Sequence, residues 1–170
     1  MKKKFFSYHQ IFIFITSLSF CFYLLGYDNL NFLNQSWLIN GDLAQYQLGW
    51  KFYREDIWRF PLGLNPNYGI TNSSSIVYSD SIPLLAIFFK IFKSFLFKDF
   101  QYFSFWIFIC IYLQALFSFK IIYYFTKNTP YSLVSSIFFI FSTILIYRSG
   151  IHLSLTAHWL ILGYFYIHIS

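Results

Sequence analysis

The sequence predicts an all-α integral membrane protein. It should be a multi-spanning helical bundle of about four transmembrane helices, with a long external loop carrying two amphipathic interfacial helices. Three observations lead there. Of 170 residues, 58% are hydrophobic and only 11% charged, whereas an average soluble domain is roughly 25% charged. Aromatic residues make up 26%, with 25 Phe; a soluble fold of ~150 residues buries only about 70% of its surface, too little to hide them all. Uncharged stretches of spanning length also recur along the chain. A soluble globular domain and a disordered chain are both excluded. The net charge of +6 forms no basic stripe with stacking aromatics, so no nucleic-acid partner is expected. Cys21 and Cys110 lie inside apolar runs, with neither metal-ligand spacing nor a disulfide framework.

The elements follow in order. Residues 5–27 are uncharged and preceded by Lys2, Lys3 and Lys4. With no small-x-small cleavage site after them, they read as an uncleaved first helix with a cytoplasmic N-terminus. Residues 100–119, 131–147 and 151–169 are the other expected spans, Pro130 being suited to a first helical turn. Residues 81–97 are apolar, but Lys90 sits at their centre and Lys93 nearly one turn on. A central Lys costs about 2.5–3.5 kcal/mol on insertion scales, so this segment is expected to lie in the interface, lysines toward the headgroups. The external loop is then 28–99. Lys120 and Lys127 join Lys2, Lys3 and Lys4 on the cytoplasmic side, and all six acidic residues lie outside. By the family resemblance given below, the expected location is the bacterial inner membrane.

Within the loop, Leu43, Tyr46, Trp50, Tyr53 and Ile57 recur at spacings of three and four. That marks one apolar helical face, so 42–57 is expected to lie on the outer leaflet. Pro61, Gly63, Asn65-Pro66-Asn67 and Gly69 mark turns. Ser73 to Ser75 form a polar tip, and Ser79-Asp80-Ser81 has the composition of an N-cap for the helix beginning near residue 81.

Two carboxylates stand out. Asp42 follows Asn40-Gly41 and opens the 42–57 helix with Gln45 on the same face. It is either a favourable first-turn charge or a general base at the membrane surface. Asp80 is either a cap or a second site carboxylate, and the pair leaves room for a divalent metal although no metal-ligand motif is present. Arg148 and His152 are either interfacial anchors or a phosphate site, and Lys90 and Lys93 could contact lipid phosphates. No phosphate-cradling Gly-rich loop, nucleophile elbow or kinase signature occurs.

The order of parts resembles the GT-C superfamily of membrane glycosyltransferases, which use polyprenyl-phosphate sugars. More closely, Gly41-Asp42 with Gln45, the run Trp58-Arg59-Phe60-Pro61-Leu62-Gly63-Leu64-Asn65-Pro66-Asn67-Tyr68-Gly69, and Ser79-Asp80-Ser81-Ile82-Pro83-Leu84 are similar to an uncharacterised bacterial family of GT-C-like membrane proteins. Gly150-Ile151-His152 and His158-Trp159 fit its later motif. The resemblance covers about 37–162. It implies that Asp42 is the acidic first-loop residue acting as base or orienting the acceptor. It also implies that Asp80, Lys90 and Lys93 stand where relatives place lipid-phosphate contacts. The implied donor is a polyprenyl-phosphate-linked sugar; the acceptor is a lipid or cell-envelope glycan. GT-C proteins often show two adjacent acidic residues where this chain has Gly41-Asp42, and they carry more helices. The chain ends at Ser170 within an apolar run, so it is expected to be the N-terminal portion of such a protein, completed by further C-terminal helices or another membrane subunit. The rival expectation is a non-enzymatic protein for lipid-linked glycan transport or assembly. That would string polar residues along the spans, where Gln114, His158 and His168 are nearly the whole inventory.

Overall fold

A computed structural model describes residues 8–69 and 74–170. Lys2, Lys3, Lys4, the start of the first predicted helix and Ser73 lie outside the described residues. The chain is mostly helical: α1 (Tyr8–Leu30), α2 (Gly41–Glu55), α3 (Pro83–Ile91), α4 (Phe103–Thr126), α5 (Thr129–Ile140), α6 (Thr143–Ile151) and α7 (Trp159–Ile169). Two-residue strands β1 (Leu64–Asn65) and β2 (Ser74–Ser75) pair antiparallel, Leu64 opposite Ser75. The residues divide into two compact units. One comprises 8–27, 105–150 and 155–170; the other comprises 28–69, 74–104 and 151–154.

The first unit is apolar outside, and its interior mixes large apolar residues with small and polar ones. On α1 the buried positions are Ile13, Ser17, Phe20 and Cys21; on α5 they are Ser132, Ser136 and Ile140. Meanwhile Ile15, Phe138, Ile161 and Ile167 stand in the open. Small residues at helix contacts let backbones approach closely in lipid, where apolar side chains gain nothing by turning inward. Three buried hydroxyls bond back along the chain: Ser132 Oγ donates to the Asn128 carbonyl at 2.7 Å, Ser136 Oγ to Leu133 at 2.7 Å and Ser149 Oγ to Ile146 at 2.7 Å. Such local bonds satisfy a polar group without a partner helix. Gly163 is buried with the Phe117 ring against it.

Helices α1, of 23 residues, and α4, of 24, are long and apolar enough to cross a membrane. The stretch predicted as one span over 131–147 is instead broken: α5 and α6 meet at Phe141-Ser142 with a 43° bend, making a third span only if the pair is taken together. Ser142 and Thr143 are helix-starting residue types that compete with the ladder for backbone groups. The predicted 151–169 span is also not continuous. A 3₁₀ turn at Leu153–Thr156 precedes α7, whose 11 residues cover only about 16 Å at ~1.5 Å per residue. Gly150, Ser154 and Thr156 all weaken a helix there.

The second unit is built on α2. Tyr46, Trp50 and Tyr53 are buried as the spacing predicted, but protein covers them rather than a leaflet. Trp50 Nε1 donates to the Phe100 carbonyl at 3.1 Å, its ring lies edge-on to Tyr102 at 5.0 Å, and Tyr53 Oη donates to the Leu62 carbonyl. Ile57, at the end of the predicted stripe, is exposed. Gly49 is the closest approach. A Cβ there would collide with Ser79 Oγ and Ser81 Oγ. The bare backbone lets the 79–81 turn dock on α2, where Ser81 Oγ donates to the Tyr46 carbonyl at 2.7 Å and Asn65 Nδ2 to the Gly49 carbonyl at 3.0 Å.

Arg54 lies in the same buried face. Its guanidinium donates to the carbonyls of Leu96 and Phe97 at 2.7 Å, Lys98 at 3.2 Å and Lys93 at 3.5 Å. The segment after α3 thus turns four carbonyls onto one cation, those of Lys93 and Phe97 also accepting from the Leu96 and Phe100 amides. Helix α3 is inverted relative to the sequence expectation. Lys90 is 1% exposed, with Nζ donating to the Ile57 carbonyl at 3.1 Å and lying over the Tyr53 ring at 4.0 Å. Lys93 Nζ donates to the Asp56 carbonyl at 3.4 Å. The lysines face protein, while Leu84, Phe88, Ile91 and Phe95 face out. Burial pushes the Lys90 ammonium below its ordinary pKa, with the Asp56 carboxylate opposing the shift. Asp56 is itself held below the usual carboxylate range, mainly by its bond from Arg59, whose Nε donates at 2.8 Å.

Four substitutions test these contacts. Gly49→Ala should destabilise the chain by about 1–3 kcal/mol through overpacking. Gly150→Ala, in α6 with open space at its Cβ position, should stabilise it by about 0.5–1 kcal/mol. Arg54→Met, which strands the Leu96 and Lys98 carbonyls, should cost about 3 kcal/mol. Lys90→Met should cost less than about 1.5 kcal/mol, because it also removes a desolvated charge. Unfolding midpoints in a neutral detergent read all four.

Candidate functional site

The candidate site belongs to the second unit and starts at the first turn of α2. Asn40 occupies the N-cap position in extended conformation without a side-chain capping bond. Gly41 follows at φ 57, a left-handed backbone that glycine adopts without a Cβ clash. This turn sets Asp42 on the rim of α2, its carboxylate 54% exposed. His152 Nδ1 lies 3.3 Å from Asp42 Oδ2, with the imidazole side chain 34% exposed. The sequence singled out both residues without linking them. The structure brings them together across more than a hundred residues of chain.

Two further side chains join this rim. Tyr46, one turn after Asp42, has its phenol next to Ser154 and the Leu153 backbone. Burial pushes its pKa up; Asp80 and Asp42 add to the rise, while the Ser154 and Leu153 hydrogen bonds oppose it. Both carboxylates therefore act on one phenol. Gln45 Nε2 donates to the Tyr78 carbonyl at 3.1 Å, tying α2 to the turn that carries Asp80.

Asp80 is exposed and is not a helix cap. The N-cap of α3 is Ile82, in left-handed conformation at φ 51 and without a side-chain capping bond. Ser79 and Ser81, expected to cap, are buried and bond to the Ile76 and Tyr46 carbonyls instead. Asp80 also has positive φ, at 52. Left-handed Ile is rare, since a branched Cβ crowds the backbone there. This turn is held by three bonds: Ser81 Oγ to Tyr46, Tyr102 Oη to the Ser81 carbonyl, and the Ser79–Ser81 hydroxyl pair at 2.9 Å.

The other predicted site residues have other partners. Lys90 and Lys93 are engaged by the carbonyls of Ile57 and Asp56. Arg148 belongs to the first unit, half-buried, with its guanidinium 6.0 Å from the Tyr147 ring. Among the described residues no group of three or more His, Cys, Asp or Glu is assembled to hold a metal ion. Sequence reasoning missed Tyr46 as a hydroxyl, Gly49 as a docking point and Arg54 as a clamp. Tyr46 had been placed only as an apolar residue of the stripe. Arg54 breaks that stripe next to Tyr53, and this was the one available signal.

Chemically, the rim offers a solvent-reachable carboxylate that can take a proton. It also offers an imidazole whose Nδ1 faces that carboxylate, leaving Nε2 for another group. Carboxylate–imidazole pairing fixes the orientation of the ring. No curated protein and no solved structure matches the chain. One family match covers residues 14–170. The chain, rim and apolar helices included, belongs to the family described as Domain of unknown function (DUF6311).

Proposed function

We propose that the protein is a membrane glycosyltransferase, or the N-terminal part of one, taking a sugar from a polyprenyl-phosphate donor. The acceptor is a lipid or a cell-envelope glycan on the external face of the bacterial inner membrane. The observation that carries this reading is the Asp42–His152 pair at 3.3 Å, with Asp80 in electrostatic reach of the same rim. In the proposed reaction Asp42 accepts the proton of the acceptor hydroxyl. That oxygen attacks the anomeric carbon, and the bond to phosphate breaks with its electron pair leaving on the phosphate. His152, in its doubly protonated form and oriented through Nδ1 by Asp42, offers Nε2–H to the departing phosphate oxygen, where developing negative charge is best stabilised.

The outward apolar side of α3 supports a position at the membrane surface. Leu84, Phe88, Ile91 and Phe95 would enter the leaflet while Lys90 and Lys93 stay within protein. The proposed topology keeps the N-terminus cytoplasmic and 28–99 external. It has α1, α4 and the bent α5–α6 pair crossing, with α7 contributing to a bundle of about four helices. The GT-C likeness of the Gly41-Asp42 and Ser79-Asp80-Ser81-Ile82-Pro83 motifs agrees with this reading.

Asp42→Asn should lower transfer of radiolabelled sugar from polyprenyl phosphate by about 10²–10⁴-fold, the usual value of general base catalysis, while membrane insertion and helix content are unchanged. His152→Gln should lower it by about tenfold or more. Glu55→Gln, at the far end of α2, should stay within about twofold of the parent. Transfer within about threefold of the parent in Asp42→Asn, far below that catalytic range, reduces Asp42 to a helix-start charge.

A further inference from the structure

The first unit contains Lys120, Lys127 and Arg148 but not one Asp or Glu. Its positive charge therefore has no carboxylate partner within the unit. Two of these cations line one cavity of about 380 Å³, together with His9, Phe119, Tyr123, Tyr124, Thr129 and Tyr166. The cavity sits where four helices of the unit begin or end. His9 comes from the start of α1, stacked on Phe119 at 4.8 Å. Lys120 and Lys127 come from the end of α4 and just beyond it, and Tyr166 from the last turn of α7. Thr129 opens α5, whose first-turn Tyr131 amide is capped by the Asn128 side chain at 3.0 Å.

The lysines are held by rings rather than by anions. Lys120 Nζ lies 5.2 Å from the Tyr166 ring and 5.4 Å from the Phe117 ring, and Lys127 Nζ lies 4.7 Å from the Tyr124 ring. Cation–π contacts orient an ammonium while leaving its N–H donors available. Two ammonium groups, an imidazole, phenols and a helix N-terminus on one cavity make a receptor for a compact anion. Span-length α4 ends here, so the cavity lies at the depth where aromatic belts and phospholipid phosphates meet.

We propose that this cavity binds the phosphate headgroup of an anionic phospholipid, with Lys120 and Lys127 as its two charge-bearing contacts. The site is separate from the Asp42 rim and needs neither the sugar donor nor the transfer reaction. The headgroup supplies the negative charge that the unit's own sequence lacks, and its acyl chains would run along the apolar outer faces of the helices.

The test uses the full chain in a neutral detergent, titrated with short-chain phosphatidylglycerol and, separately, phosphatidylcholine. Bound lipid is counted by native mass spectrometry. The parent should hold phosphatidylglycerol at least tenfold more tightly, since a lysine near an anionic surface contributes about 1 kcal/mol. Lys120→Gln with Lys127→Gln should bring the two lipids within about twofold, whereas the paired Arg variants should keep the preference. Lys51→Gln with Lys98→Gln, in the second unit, should also keep it. In the parent, raising the salt concentration should weaken the preference, a reading that needs no variant. Equal binding of the two lipids, an unchanged preference in the paired Gln variant, or salt independence would overturn the proposal. Displacement of the lipid by inorganic phosphate at matched concentration would also overturn it, by making a free phosphate the occupant.

Discussion

The buried guanidinium of Arg54 is the interaction on which the second unit depends. A 3₁₀ turn and an extended stretch follow α3, and this backbone leaves the Leu96 and Lys98 carbonyls without backbone donors, while those of Lys93 and Phe97 accept from the Leu96 and Phe100 amides. In a buried setting each unpaired group costs about 1–3 kcal/mol. Arg54 collects the carbonyls of Lys93, Leu96, Phe97 and Lys98, and a planar fork with five donors is the one side chain that can do so. With that segment fixed, Phe100 accepts from Trp50, and Tyr102 reaches the Ser81 carbonyl. The turn bearing Asp80 is then pinned against Gly49. The candidate site at one end of α2 therefore rests on a clamp near the other end.

The same logic explains why α3 is inverted. Lys90 could reach water only by turning its helix over, which would bury Leu84, Phe88 and Ile91 against polar loop. Instead the ammonium takes the Ile57 carbonyl and the faces of Tyr53 and Trp58, and the large apolar side chains remain outside. In water that arrangement would leave an apolar patch exposed. In the first unit serines are buried beside apolar core residues, while large apolar side chains such as Phe138, Ile161 and Ile167 stand outside. Both units are thus apolar on faces that a soluble protein would keep wet.

Much of this was legible in the sequence, for identifiable reasons. The α2 stripe was found because Tyr46, Trp50 and Tyr53 follow helical periodicity, and periodicity survives whatever covers the face. What covers it was not legible, because a lipid-facing stripe and a protein-facing one have the same spacing. Lys90 and Lys93 misled for a related reason. Charge predicts exposure only where no carbonyl-rich loop is present to receive it, and that loop is contributed by residues far from α3 in sequence. The breaks at Phe141-Ser142 and before α7 were missed because mean apolarity ignores local competition by Ser, Thr and Gly for backbone geometry. Asp42 and His152 were each legible as candidates, but their pairing is set by long-range topology that spacing does not encode.

Native-state hydrogen exchange tests most directly whether α2 and its clamp form one cooperative unit, since elements that open together share one opening free energy. Peptides covering α2, the 76–82 turn and residues 93–104 should show the same opening free energy. They should lose protection together as denaturant is raised. If 93–104 exchanges independently and well before α2, the Arg54 clamp does not hold the unit together, and the candidate site does not rest on it.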